Sequence, residues 1–195
     1  MIKNILYSFL IINNTKIYII IFEVGGKMKE GNRTEKIVMA AMFAALVCVT
    51  TMIIKIPSPL KGYINLGDCM VLVAGWTLSP AYAFCAAGIG SALADVFSGY
   101  LVYAPATFVI KGGMVFLAYY GAAVLNKKKI NNKLVRIISG ILAEIWMVLG
   151  YLVFEGFLYG FVPSLANVPA NALQGIVGIV LAVSVVKMLQ RTSLK

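Results

Sequence analysis

Four ionisable side chains stand inside apolar runs: Asp68 at the head of LGDCMVLVAGW, Asp95 at the end of GIGSALADVF, Lys111 in ATFVIKGGMVF and Glu144 in ILAEIWMVL. A charge placed in hydrocarbon is costly unless it is paired or faces a cavity, so each of the four needs a reason. One reason is an internal ion pair, Lys111 with Asp95 or Glu144, that tethers helices. Another is a proton or ion relay through Lys111, Asp95 and Glu144, the chemistry of an autonomous ion-coupled secondary transporter. The third is the polar wall of a ligand pocket open to the exterior. Acid–base catalysis has the weakest footing, because the chain has no histidine and no GxSxG nucleophile motif, which leaves carboxylates alone to support it.

A second set of groups gathers at the ends of the apolar runs. Tyr63, Asn65, Ser98, Tyr100, Tyr103, Glu155, Tyr159, Asn167, Asn171 and Gln174 mix aromatic planes with hydrogen-bonding groups, which suits a small, flat, polar heterocycle. An interfacial aromatic belt accounts for part of the tyrosines but not for Asn171, Gln174 or Glu144. The candidate substrate-binding set is therefore Asn65, Asp68, Asp95, Ser98, Tyr100, Tyr103, Lys111, Glu144, Asn171 and Gln174, with no catalytic residue. Cys48, Cys69 and Cys85 form no CxxC pair, and no histidine completes a zinc site, so the thiols read as buried and free and no metal is expected. With no GxxxxGKS/T segment and no room for a nucleotide-binding domain, any use of ATP falls to a partner and no cofactor for chemistry is expected here.

The elements that position these groups follow from composition. The 195 residues are 61% hydrophobic, with a mean hydropathy of +0.92, more apolar than a water-soluble core absorbs. A spanning helix needs about 20 mostly apolar residues. Spans are expected over 37–54, 66–78, 81–97, a fourth ending near 125, 134–154 and 170–188: an all-α polytopic membrane protein, six transmembrane helices in a compact bundle. Pro57, Pro59 and Gly62 make the first connection an ordered loop rather than a helix.

The net charge of +10 does not point to nucleic acid, because the basic residues sit between apolar runs rather than on one face of a soluble fold. Twelve of them fall in the flank before the first span, the 127–136 loop and the C-terminal tail, while the external loops hold Lys55 and Lys61. Both termini are accordingly expected in the cytoplasm, and the protein in the cell membrane. Residues 1–27 make a poor span, broken by Asn13, Asn14 and Lys16, and Gly25-Gly26-Lys27-Met28 is compatible with a ribosome-binding sequence ahead of a start codon. The expected organisation is an N-terminal extension, 1–27, absent if translation starts at Met28, and a single membrane domain, 28–195.

In the first span, MAAMFAALV spaces Ala40 with Ala44 and Ala41 with Ala45, two pairs of small residues four apart that let another helix approach closely. The approaching helix belongs either to this chain or to a docked subunit.

The segments GYINLGDCMVLVAGWTLSP and GIGSALADVFSGYLVYAPATFVIKG resemble the membrane-embedded S components of energy-coupling factor (ECF) vitamin importers, in the riboflavin-type branch. The resemblance spans roughly residues 33–190. It implies a six-helix subunit that captures a vitamin at its external face, associates with a transmembrane T component and two ABC-type ATPases, and topples in the bilayer to release its cargo inside. It places Asn65 and Asp68 in the first-loop region, Asp95, Ser98, Tyr100 and Tyr103 at the end of the third helix and its loop, and Asn171 at the polar start of the last helix. It also places the double Ala-xxx-Ala on the surface presented to the T component. Riboflavin, pyridoxine and the hydroxymethylpyrimidine portion of thiamine all suit an aromatic, amide-lined pocket. The residues alone leave the ion-coupled secondary transporter as the alternative.

Overall fold

A computed structural model describes residues 33–58, 63–128 and 130–192, so the extension 1–27 and the start at Met28 lie outside the described residues. The elements are α1 (Arg33–Ile53), β1 (Lys55–Pro57), β2 (Tyr63–Asn65), α2 (Gly67–Thr77), α3 (Pro80–Phe97), α4 (Ala104–Lys127), α5 (Asn132–Tyr159) and α6 (Val168–Thr192). One turn of helix, Phe161–Ser164, and a 3-10 turn, Leu165–Asn167, join the last two. The expected spans and the helices agree to within a few residues, and the architecture is the six-helix membrane bundle.

Among the described residues, five helices are long and apolar enough to cross a membrane: all but α2. At 11 residues, α2 covers about 16 Å, roughly half of a bilayer core. Its position accounts for its composition. The other five helices pack around it in the order α1, α3, α4, α5, α6, and α2 touches every one of them. Gly67 to Gly75 are buried without a break, as expected of a helix that is apolar on all sides. Large apolar side chains on the outer helices face outward instead, including Ile37, Val109, Ile145 and Val180. Around a membrane bundle these are the side chains that meet lipid.

The first loop is a short antiparallel hairpin, β1 with β2, that pairs Ile56 with Ile64. It delivers the chain to α2 through an Asx turn in which the Asn65 side-chain Oδ1 accepts from the Gly67 N–H at 2.9 Å. Only glycine fits there, because a Cβ on Gly67 would overlap Thr51 Oγ1. At the other end of the hairpin's neighbourhood, Gly99 adopts φ 83°, and the Tyr100 N–H bonds back to the Asp95 carbonyl at 2.8 Å. This Schellman-type turn ends α3 and folds Tyr100 over the last acidic residue of the helix. Cys48, Cys69 and Cys85 are free, but only Cys69 is buried, and Cys85 lies on the outer surface of α3.

Candidate functional site

The loop-end side chains enclose a cleft at the end of the bundle opposite the basic 127–136 connection. Counting the part open to solvent, it holds about 400 Å³ of empty space. The hairpin contributes Ser58, Tyr63 and Asn65; the α3–α4 corner contributes Asp95, Tyr100, Tyr103 and Thr107; α5 gives Tyr151 and Glu155, and α6 gives Asn171 and Gln174. Tyrosine rings form one wall. Tyr63 and Tyr100 have centroids 4.8 Å apart, and Tyr103 stands edge-on to Tyr100 at 6.3 Å.

A carboxylate stands at each end of that row. Tyr63 donates to Asp95 Oδ1 at 2.7 Å, and Tyr103 donates to Glu155 Oε1 at 3.4 Å, where the Asn167 amide also donates at 2.8 Å. Burial, and then the neighbouring negative charge of Asp95, hold the Tyr63 phenol well above its ordinary pKa, so it remains a donor. Burial does the same for Tyr103. The Thr107 hydroxyl approaches Asp95 and shares a 3.1 Å hydrogen bond with Tyr151. The second oxygens, Asp95 Oδ2 and Glu155 Oε2, are buried without a hydrogen-bond partner among the described residues.

Beneath the cleft lies a second polar layer. Thr107 and Lys111 are one turn apart on α4, so Lys111 sits about 6 Å deeper. Its ammonium pairs with Asp68 Oδ1, and both side chains are buried. Gln174 closes the layer: its amide donates to Asp68 Oδ2 at 2.6 Å, and its carbonyl accepts from the Asn65 N–H at 2.8 Å. Glu144 enters the same layer from α5, with both carboxyl oxygens buried and unpartnered among the described residues. Glycines on α6 make room for these acids. A Cβ at Gly175 would lie 2.9 Å from Glu144 Oε2, and one at Gly178 would lie 2.9 Å from Asp68 Cβ.

Of the predicted set, Asn65, Asp95, Tyr100, Tyr103, Asn171 and Gln174 come together around the cleft. Asp68, Lys111 and Glu144 occupy the layer below. Ser98 sits at the rim, accepting from Lys55 Nζ at 2.9 Å. The expected tether of Lys111 to Asp95 or Glu144 is corrected: its ion-pair partner is Asp68, across α2 and α4. Sequence reading missed Thr107 and Tyr151. Both carry a helical signal, since Thr107 precedes Lys111 by four, while Tyr151 follows Glu144 by seven and precedes Glu155 by four.

The two alanine pairs of α1 separate. Ala40 and Ala44 are half-buried against the core, and a Cβ on Gly90 of α3 would overlap the Ala44 carbonyl oxygen. Ala41 and Ala45 are exposed on the adjacent strip. One pair packs internally and the other is uncovered.

Comparisons with known proteins place this architecture. The sequence model described as ECF-type riboflavin transporter, S component, matches residues 31–191. An uncharacterised protein from Pyrococcus woesei is 36% identical over 137 residues, covering 69% of this chain and 88% of that one. The thiamine precursor transporter HmpT of Lactococcus lactis is 26% identical over 170 residues, covering 86% of this chain and 95% of that one. A solved S component of a bacterial ECF transporter has the same fold, with a TM-score of 0.66 at 23% identity, covering 83% of this chain and 98% of that one.

Proposed function

The chain belongs to the ECF-type riboflavin transporter S component family, and from that premise we propose that its external cleft is where this vitamin-binding membrane subunit holds its cargo. The protein is a multi-pass component of the cell membrane and a transporter subunit rather than an enzyme. The observation that carries the reading of the cleft is its wall: four tyrosines, three amides and two carboxylates converging where the helices end. Aromatic faces and convergent polar groups in a concave site are the usual composition of a small-molecule pocket. A small vitamin or vitamin precursor suits that lining, in keeping with the cargo named for the Lactococcus relative. Asp68 and Lys111 form the floor beneath that surface, and Gln174, part of the wall, ties the two together through its bond to Asp68.

The same reading assigns partners. A transmembrane T component and two ABC-type ATPases energise transport, with ATP used only by the ATPases. The exposed Ala41 and Ala45 strip of α1 offers the close-approach surface for the T component.

Mass spectrometry of the small molecule that co-purifies with the detergent-solubilised chain, followed by titration of that compound, tests the proposal. A stoichiometric vitamin or precursor, displaced by a bulky substitution at Asn171, is the expected result. An empty chain that binds none of riboflavin, pyridoxine and hydroxymethylpyrimidine, and drives uptake without ATPases, overturns it.

A further inference from the structure

Two carboxylates in the cleft wall are incompletely hydrogen-bonded. Asp95 and Glu155 are 5% and 3% exposed, and each presents one oxygen with no hydrogen-bond partner among the described residues. Both acids line the cleft. A buried acceptor left unmade is costly, and an anionic one more so, which makes an unfinished pair in a cavity wall a request for donors. Most donors nearby are already committed, Tyr63 to Asp95, Tyr103 and Asn167 to Glu155, Gln174 to Asp68 and Thr107 with Tyr151, while the Asn171 amide and the Tyr100 hydroxyl also line the cleft. No lysine or arginine lines the cleft among the described residues. Lys111 is taken by Asp68, and Lys55 is held at the rim by Ser98 and the Tyr63 ring.

We propose that Asp95 and Glu155 are the specificity-determining residues of the cleft. They select a flat, amino-bearing nitrogen heterocycle, neutral or cationic, and reject the oxo-substituted and phosphorylated forms of the same ring. This rests on the cleft being the cargo site. The tyrosine row supplies ring contact that any planar heterocycle satisfies, so it does not discriminate. The open carboxyl oxygens do, because an amino group fills them, a carbonyl oxygen faces them lone pair to lone pair, and a phosphate adds like charge in a desolvated space.

Matched pairs of probes test this whichever ring the cleft takes. The full chain in lipid nanodiscs is titrated calorimetrically with 4-amino-5-hydroxymethyl-2-methylpyrimidine, its 4-oxo counterpart and its phosphate ester. Pyridoxamine, pyridoxine and pyridoxamine phosphate form a second series, and riboflavin is added as a larger ring system. In whichever series binds, the amino compound is expected to bind at least ~30-fold tighter than its oxo, hydroxyl or phosphorylated partner. Asp95→Asn and Glu155→Gln, which keep shape and remove charge, are expected to shrink that ratio toward unity, with folding checked by thermal melting. The proposal is overturned by an oxo or phosphorylated compound that binds as well as its amino partner, by a ratio unchanged in both variants, or by riboflavin binding while every amino-bearing ring is silent. Silence from the whole panel also counts against it. Asn171→Trp separates the two readings. If it abolishes binding of a ligand that shows no amino preference, the cleft stands as the cargo site and the selectivity falls. If the tightest ligand still binds, the cleft reading itself falls.

Discussion

Asp68 and Asp95 are both buried carboxylates near the external ends of helices, and their surroundings are completed to different degrees. Asp68 has both oxygens taken, one by the Lys111 ammonium and one by the Gln174 amide. Asp95 has one oxygen taken by Tyr63, and the other has no hydrogen-bond partner among the described residues. The same residue type near the same end of the bundle therefore serves two ends. A saturated network fixes how α2, α4 and α6 sit relative to one another. A half-finished one leaves a buried acceptor open beside the cleft. The floor of the cleft and its wall differ in this respect, and the difference can be broken from either side.

The largest effect belongs to the floor. Lys111→Met strands the Asp68 carboxylate in a dry layer, and removing one member of a buried pair costs about 3–5 kcal/mol. Thermal unfolding of the solubilised chain should show that loss, and Asp68→Asn combined with Lys111→Met should recover most of it, because the pair is then removed as a whole. If Lys111→Met instead weakens cargo binding with the melting temperature unchanged, floor and wall are one site and the comparison collapses. Gly67→Ala comes next. Its Cβ would overlap Thr51 Oγ1, which forces the hairpin or α1 to shift at a cost of about 1–3 kcal/mol. Partial rescue by Thr51→Ala would locate the strain in that contact, whereas no rescue would place it in the Asx turn of Asn65.

The bundle itself was legible in the sequence, since apolar runs of the right length and basic loops on one side report membrane spans directly. The half-length of α2 was less so. Its apolar run, 66–78, is expected as a span although it is shorter than the others, and its contacts with all five other helices show that it is core rather than lipid-facing. The residues that line the cleft were half legible. Asn65, Asp95 and Gln174 stand out because polar groups are rare in such segments, but Thr107 and Tyr151 do not. A threonine bonds its own helix readily, and a tyrosine near a helix end reads as an interfacial anchor. Pairing was not legible at all. Lys111 has three acidic candidates in the chain's apolar segments, and the choice of Asp68 is made by tertiary packing, with α6 glycines opening the space.

Tyr63→Phe tests the wall at smaller scale. Losing the donor leaves both Asp95 oxygens open, and a single buried hydrogen bond is worth about 1 kcal/mol. Affinity for an amino-bearing ring is expected to change by about fivefold, with the ring contact to Tyr100 preserved. A change of a hundredfold or more would mean that Tyr63 itself touches the cargo, and the orienting role assigned to it through Asp95 would have to be exchanged for direct contact.

The smallest effect on the isolated chain is expected far from both layers. Ala45→Trp enlarges an exposed position of α1, and surface substitutions away from packed features stay within about 0.5 kcal/mol. Melting temperature and cargo affinity should therefore be unchanged, while co-purification with the T component is lost, because the strip no longer admits a close-packed helix. Ala44→Trp is the control that gives this meaning. Ala44 lies one position away but is half-buried where α1 meets Gly90, so the same enlargement is forced into α3 and should destabilise the isolated chain. If Ala45→Trp leaves assembly intact, the outer alanine pair faces lipid alone and the T component must dock elsewhere. If both variants melt early, the two strips are one internal interface.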